Sequence, residues 1–316
     1  MKNITILLPT VLLSAALQGQ GVITRISDGE HLFRYDGNIQ AVFNEIIAGD
    51  TVLLGGGNYV LTGDLILDQP AVIIGTGVRP DSSAAYLGCT NITKNSGSHN
   101  LIITENADNS QFHGIEFSNL VDVVFGSTNA TSNVDDVLLR RCKLSELKLS
   151  PSASSLANNT RVEECVMTSI QVNNAENTRI SHSFYEQMTG AGATSDTEVR
   201  HCIVSNPNLA ATGNANVHYM NNIFLKLNTS TYEVEEASVF ENNLFVGGGG
   251  SYSTTFPVGA MVINHMDATS INDVFLPGNG IDANDYLLSA NYHLQAGIEV
   301  GGLEPGVYGG TSPWKE

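Results

Sequence analysis

The sequence predicts an all-β solenoid, in which coils built from parallel strands stack along one axis. A six-residue unit recurs through the middle of the chain and reads apolar, polar, polar, a small Cys, Ser or Asn, any residue, apolar. Successive copies lie about 20 residues apart, and a repeat of that length with strand-like content indicates a solenoid. Each unit is too short to form its own core and buries its apolar residues by stacking on the next. The fourth positions of the six copies are Cys142, Cys165, Ser183, Cys202, Asn222 and Asn243.

The composition of the units favours strands over helices. They are rich in Val, Ile, Phe and Tyr and alternate in polarity, and they lack the Leu-x-x-Leu-x-Leu pattern of a leucine-rich repeat. Parallel strands of successive coils would lie about 4.8 Å apart. The alternation predicts that the first and last residues of a unit point into the coil and the two polar residues point outward. The small fourth residue is expected at a bend, with its side chain turned inward.

The fourth positions predict an inward column at this bend. Asn222 above Asn243 is expected to form a stacked-amide ladder, because stacked amides satisfy one another by hydrogen bonding. Cys142, Cys165 and Cys202 are expected to behave as small buried hydrophobic residues. A Cys142–Cys165 disulfide stays open, although parallel side chains in register would strain it.

The units Asn221–Phe224 and Glu241–Phe245 resemble those of the right-handed parallel β-helix of the pectin-lyase-like superfamily. Residues 37–54 support this resemblance, since an amphipathic stretch ends at Gly49 and leads directly into a strand. The resemblance covers about residues 36–250 and implies a right-handed parallel β-helix with a short N-terminal capping helix. It also implies polysaccharide cleavage as a candidate activity, because the superfamily includes lyases and hydrolases.

The chain divides into four predicted parts. Residues 1–20 are typical of a secretory signal peptide, with Lys2 before a short apolar stretch. Residues 21–50 form the N-terminal cap and residues 51–284 the β-helix. Residues 285–316 resemble the C-terminal capping segment of secreted β-helix proteins, which implies that they fold back and close the last coil. The mature protein is therefore expected outside the cell or at the cell surface.

The charge balance narrows the choice of partners. The chain has 14 Lys and Arg against 32 Asp and Glu, a net charge of −18. This field repels nucleic acid and anionic membranes. No second long apolar stretch follows the signal, so the mature chain is predicted to have no membrane span.

Two outward columns carry the candidate site residues. The first contains Arg141, Glu164, His182 and His201, and the second contains Arg140, Glu163, Ser181 and Arg200. Alternating charges in adjacent coils favour a surface salt ladder over a catalytic cluster. Two stacked histidines beside arginines could instead bind an acidic sugar or a metal. The candidate catalytic residues are Arg140, Arg141, His182, Arg200 and His201, and Glu163 and Glu164 are candidate binding residues.

Asp135 and Asp136 are two further candidate binding residues. The pair resembles the paired aspartates of polygalacturonase-type hydrolases, but the other motifs of that family are missing. Adjacent strand residues face opposite sides, so only one aspartate could serve a groove, and a turn is the favoured interpretation. No metal-ligating pattern is evident and no cofactor is predicted, while calcium is left open. Two loops, Gly126–Asn133 and Leu149–Thr160, are predicted to line any ligand groove.

These patterns predict a secreted β-helix protein with a structural, adhesive or glycan-binding role at the cell surface. Its partners would be polysaccharides or other cell-surface components. The alternative is a polysaccharide lyase or glycoside hydrolase whose site lies on the two outward columns. Fold alone does not decide between these functions.

Overall fold

The computed structural model describes most of the chain between residues 21 and 268. The predicted signal peptide and the predicted C-terminal capping segment lie outside the described residues. The described ranges are 21–29, 31–78, 88–126, 132–150, 155–189, 194–205, 216–226, 231–232, 238–247, 253–254, 261–263 and 266–268.

The N-terminal cap consists of a hairpin and a short helix. Strands β1 (Val22–Ser27) and β2 (His31–Asp36) pair antiparallel, and helix α1 (Ile39–Phe43) follows. The Asn38 side chain accepts a hydrogen bond from the backbone N–H of Ala41, which satisfies one of the free donors at the helix start. The helix buries its apolar face, so the predicted capping helix is confirmed. The hairpin was not predicted from the sequence.

The coils that follow are built from three sheets. Sheet A contains β1 and β2 together with β3 (Asp50–Leu54), β6 (Ala71–Ile74), β9 (Gln111–His113), β13 (Leu138–Arg140), β16 (Arg161–Glu163), β19 (Arg179–Ser181), β22 (Thr197–Arg200), β24 (Val217–Met220), β27 (Val239–Glu241) and β30 (Met261–Ile263). Sheet B contains β4 (Gly57–Leu61), β5 (Leu65–Leu67), β7 (Thr90–Lys94), β8 (Leu101–Ile103), β10 (Ile115–Phe117), β11 (Val123–Phe125), β14 (Lys143–Leu149), β17 (Val166–Val172), β20 (Phe184–Thr189), β23 (Ile203–Val204), β25 (Ile223–Lys226), β28 (Leu244–Gly247) and β31 (Met266–Ala268).

Sheet C is smaller and completes the middle coils. Its strands are β12 (Asn133–Asp135), β15 (Leu156–Asn158), β18 (Ala175–Glu176) and β21 (Thr194–Ser195). Strands β26 (Thr231–Tyr232) and β29 (Ser253–Thr254) pair separately, and a 3-10 turn spans Glu105–Ala107.

Strand pairing confirms the predicted fold. From β3 onward the strands of sheet A pair in parallel, each with its equivalent in the next coil. Sheets B and C follow the same rule. The first and last residues of the repeated unit, such as Leu139 and Leu144, are buried in the core as expected. The protein is a right-handed parallel β-helix.

Two of the bends in each middle coil hold one residue with a left-handed backbone. Between sheets A and B this residue has φ between 50° and 63° and is Gly114, Arg141, Glu164, His182, His201, Asn221 or Asn242 in successive coils. Between sheets C and A it has φ between 49° and 66° and is Asn109, Asp136, Asn159, Asn177, Asp196 or Asn216. At the first bend the backbone N–H donates to a carbonyl of the next coil, as Arg141 does to Glu163 at 3.0 Å.

The residue after the first bend points inward and forms the predicted column. The backbone N–H of Cys165 donates to Ser183 Oγ at 3.0 Å, and that of Cys202 donates to Asn222 Oδ1 at 2.9 Å. The backbone N–H of Asn222 donates to Asn243 Oδ1 at 2.8 Å, and Asn222 Nδ2 lies 3.1 Å from the same oxygen. The predicted asparagine ladder is therefore confirmed. Each side chain in it satisfies a backbone donor of the preceding coil.

The cysteines of the column are buried free thiols. Cys142, Cys165 and Cys202 are fully buried, and Cys89, outside the column, is also free. Burial raises the pKa of Cys202 to about 12, so its thiol stays protonated at neutral pH. Since the three side chains of the column are fully buried, they act as packing groups and weak hydrogen-bond partners.

Replacing Asn222 with Ala tests the asparagine ladder. The change removes the acceptor for the Cys202 N–H and the donor to the Val199 carbonyl, which Nδ2 contacts at 2.8 Å. Because both backbone groups are buried, we expect a loss of about 1–3 kcal/mol in the free energy of unfolding, measured by urea denaturation. Asn242→Gly is the matched control, since glycine keeps the left-handed backbone of that neighbour and should change stability little. Equal midpoints for Asn222→Ala and the unsubstituted protein would contradict this role.

Candidate functional site

The strand register places the outward site residues in the two predicted columns. Arg140 pairs with Glu163, Glu163 with Ser181, and Ser181 with Arg200 along sheet A. The next residue of each coil is the left-handed bend residue. We call the eight residues of these columns the ladder; they are Arg140, Arg141, Glu163, Glu164, Ser181, His182, Arg200 and His201.

The N-terminal half of the ladder is an ion-pair network centred on Glu164. Its Oε1 accepts from Arg140 Nη2 at 2.7 Å and its Oε2 accepts from Arg141 Nε at 2.6 Å. Glu163 Oε2 lies 3.8 Å from Arg140 Nε. Partial burial raises the pKa of Glu164, but the hydrogen bonds and charges of the two arginines outweigh it and leave the pKa below its usual value. This half therefore matches the predicted salt ladder.

The C-terminal half of the ladder contains two contacting imidazoles. The rings of His182 and His201 have centroids 5.0 Å apart and are tilted by 47°. His201 Nε2 lies 3.1 Å from Asn221 Nδ2, so it accepts this hydrogen bond in the matching tautomer. Burial lowers the pKa of His182 and the Arg200 charge lowers it further, while Glu164 and Glu163 oppose both. At neutral pH His182 is consequently held in its neutral form.

Arg200 differs from Arg140, Arg141 and Arg179 of this face, which are all ion-paired. Arg179 Nε donates to Glu198 Oε2 at 2.9 Å one column away, and Arg140 and Arg141 both reach Glu164. Within the described ranges Arg200 forms no ion pair, and its buried Nε has no hydrogen-bond partner. A guanidinium offers five donors in a fixed fork and accepts none, so donors of Arg200 are available to an oxygen ligand.

The two left-handed bends carry different residue types, and the unusual ones belong to the ladder. The bend between sheets C and A carries only Asn and Asp, which tolerate this backbone best after glycine. The bend between sheets A and B carries Arg141, Glu164, His182 and His201 in four successive coils. Left-handed backbone at such residues costs of order 1–3 kcal/mol each and tends to occur at functional sites. The departure from Asn, Asp and Gly marks this bend as the candidate site.

The structure does not bring Asp135 and Asp136 to the ladder. Asp135 ends β12, and Asp136 is the left-handed residue between sheets C and A, at the opposite end of β13 from Arg140. The turn interpretation of this pair is confirmed. Asp108 Oδ1 accepts a hydrogen bond from the backbone N–H of Asp135 at 2.8 Å. This contact ties the Asp108 carboxylate, one coil earlier, to the bend.

The two predicted loops also leave the coil away from the ladder. The predicted loop 126–133 joins β11 to β12, and the predicted loop 149–160 follows β14 and contains β15, so both leave the coil between sheets B and C. The ladder lies at the bend between sheets A and B. The two loops, predicted to line any ligand groove, therefore leave the coil at a different bend from the ladder. Residues 127–131 and 151–154 of these loops lie outside the described residues.

A cavity of about 390 Å³ lies in the N-terminal cap, which sequence reasoning did not identify. Arg25 lines it, pairs with the buried Asp50 at 3.1 Å and stacks over the Phe33 ring at 4.5 Å. The ion pair and the stacking hold the hairpin on the first coil, so the cavity has a structural explanation. Searching the described residues finds neither a group of three or more His, Cys, Asp and Glu able to hold a metal nor a helix long and apolar enough to cross a membrane.

Comparisons with known proteins find a similar structure but no indication of an activity. No protein-family model matches the chain, and no curated protein matches it. Its structure is similar to the A-module of the mannuronan C-5 epimerase AlgE4 from Azotobacter vinelandii, with 11% sequence identity and a TM-score of 0.37. The match covers 73% of this chain and 91% of the other. At this identity and TM-score it carries no conclusion about function.

The pKa of His182 tests the electrostatics of the ladder. We expect it below 6.5 in the folded protein, measured by NMR titration of the imidazole carbon-bound proton. Glu164→Gln should lower it further, because the carboxylate favours the charged ring. Arg200→Gln should raise it, because a neighbouring positive charge is removed.

The direction of the shift also sets a pH dependence of stability. Since the folded pKa lies below the unfolded value, the folded state is most stable above about pH 6.5 and loses this contribution as the pH falls toward the folded pKa. A His182 pKa at or above 6.5, or no response to either substitution, would contradict the arrangement described.

Proposed function

We propose that the protein acts outside the cell or at its surface and binds an anionic polysaccharide on the C-terminal half of the ladder. The observation that supports this most is Arg200, a guanidinium without an ion pair among the described residues, beside the contacting rings of His182 and His201. The amide of Asn221 adjoins the same group. These side chains offer hydrogen-bond donors in a chain whose net charge is −18.

The chemistry of the group favours a carboxylate or sulfate ligand. Guanidinium binds such groups through paired hydrogen bonds, which are stronger than those between neutral partners. An imidazole and an amide can contact the hydroxyl oxygens of the same sugar. Equivalent positions in successive coils are spaced by about 4.8 Å, which suits an extended polymer of repeating sugars lying along the helix axis.

The overall charge shapes how such binding would behave. The acidic protein repels a polyanion at long range, so association depends on short-range contacts at the ladder. Added salt screens both the repulsion and the contacts, and its effect on affinity should be modest. Protonation of His182 adds a positive charge, so affinity should rise as the pH is lowered toward 5.5.

A lyase is the second candidate function, and a hydrolase is disfavoured. A neutral imidazole beside a guanidinium provides a base and a partner for a uronate carboxylate, which proton abstraction requires. Hydrolysis needs two carboxylates placed across one glycosidic bond. Glu164 is engaged by two arginines and Glu163 lies beside one of them, so neither is placed for that role. The prediction of no cofactor, with calcium left open, is unchanged in either case.

Binding measurements on matched variants test the proposal. Isothermal titration against polygalacturonate, alginate and neutral dextran should give binding to an acidic polymer and none to dextran. Arg200→Gln should weaken this binding by about tenfold or more, as expected for about 1.5–3 kcal/mol from a hydrogen bond to a charged group. His201→Asn should weaken it less. Arg34→Gln, on the exposed face of β2, is the control for the loss of one positive charge.

The outcomes separate the candidate functions. Equal affinities of Arg200→Gln and Arg34→Gln for the acidic polymer would contradict the assignment of the site to the ladder. Formation of unsaturated sugar ends, lost in His182→Asn and Arg200→Gln, would establish the lyase in place of simple binding. Absence of both binding and cleavage would leave a structural or adhesive role for the β-helix.

A further inference from the structure

A second outward column lies beside the ladder on the outer face of sheet A. The strand register joins Leu138 to Arg161, Arg161 to Arg179, and Arg179 to Glu198. Each of these residues precedes a ladder residue of the same strand by two positions, so strand alternation directs both side chains outward. We call Leu138, Arg161, Arg179 and Glu198 the flanking column.

The ladder and the flanking column together form a positive region on an acidic protein. Their twelve positions carry five arginines and three glutamates, an excess of two positive charges, whereas the whole chain has a net charge of −18. The arginines are Arg140, Arg141, Arg161, Arg179 and Arg200, and the glutamates are Glu163, Glu164 and Glu198. A local positive field raises the concentration of anionic ligands near it. The region therefore suits a ligand with more than one negative charge.

Arg161 contributes a positive charge that nothing in the described part of the chain neutralises. The residue is exposed, and it forms no ion pair with the described strands and bends. Arg179 lies opposite Arg161 in the next strand, and its own charge is balanced by Glu198, whose Oε2 accepts from Arg179 Nε at 2.9 Å. Like charges on strands about 4.8 Å apart repel each other. An anion bound at Arg161 would therefore offset an unfavourable contact.

The register fixes the separation of Arg161 and Arg200, the two arginines of this region that form no ion pair with the described residues. Two coil steps, from β16 through β19 to β22, give about 10 Å along the helix axis. The shift of two residues between the columns adds about 7 Å along the strand, so the two backbone positions lie about 12 Å apart. A chain of acidic sugars can place one carboxylate at each arginine, which a single acidic sugar cannot.

We propose that Arg161 is the second contact for a negatively charged group in the ligand site, and that the ligand is an oligomer of acidic sugars. The oligomer crosses sheet A obliquely, from Arg200 in the ladder to Arg161 in the flanking column. This inference rests on the proposed function, because Arg200 is the first contact. Once one carboxylate is bound at Arg200, the second binds as an intramolecular event, which raises the affinity for a ligand long enough to reach both.

Titrations with uronate ligands of one and eight sugars test the second contact. Galacturonate and mannuronate are both used, with calorimetry for the eight-sugar ligands and NMR shifts of the His201 ring for the single sugars. We expect Arg161→Gln to weaken binding of an eight-sugar ligand about tenfold and to leave binding of the single sugar unchanged. Arg34→Gln is the matched control, because Arg34 is exposed on β2 of the same sheet and its loss changes the net charge equally.

The stability of the free variant shows whether Arg161 acts through the ligand or through the fold. Because Arg161→Gln removes a repulsion from Arg179, the urea midpoint of the free protein should stay equal or rise slightly. A lower midpoint would assign Arg161 a structural role in place of a ligand contact.

The binding outcomes separate this inference from the proposed function. Equal affinities of Arg161→Gln and Arg34→Gln for the eight-sugar ligand, with weaker binding by Arg200→Gln, would overturn the second contact and leave the proposed site in place. Full affinity of Arg200→Gln would remove the proposed site and the inference together. Equal losses for the one-sugar and eight-sugar ligands in Arg161→Gln would place both arginines at one subsite, which also overturns the inference.

Discussion

The structure depends on the way small inward side chains satisfy the backbone at the bend between sheets A and B. Each turn of a coil interrupts the regular hydrogen bonding between strands. An unsatisfied N–H inside the core would cost about 1–3 kcal/mol. Ser183 Oγ, Asn222 Oδ1 and Asn243 Oδ1 each accept such a donor from the coil before. These contacts fix the stacking of one coil on the next. The register of every outward column, including the ladder, follows from this stacking.

The bend also creates the place where function can be added. Its left-handed residue projects a side chain to the surface in every coil, at a spacing that the stacking holds constant. Asn, Asp or Gly is expected at a left-handed position that has no role other than folding. The bend between sheets C and A carries only Asn and Asp. Arg141, Glu164, His182 and His201 depart from this choice. Two of them are engaged in one ion-pair network, and the two histidines lie beside Arg200.

Much of the fold could be predicted because equivalent positions of the repeat show which residues stack on one another. The spacing of Cys142, Cys165 and Asn222 fixed which residues stack, and the columns of the ladder followed from it. The antiparallel hairpin Val22–Asp36 could not be predicted, since it occurs once and has no repeat to reveal it. Sheet C was not predicted because its strands are short and their sequence pattern is weak.

The hairpin at the N-terminus has a consequence for how molecules meet one another. A parallel solenoid has an open first coil, onto which the last coil of another molecule could add in the same strand direction. Strand β1 runs antiparallel to β3, and β2 reverses direction again. Arg25, held by Asp50, anchors this hairpin to the first coil. The reversal leaves β2 as the N-terminal edge of sheet A, where a strand from the last coil of another molecule would not meet the parallel pairing that joins the coils.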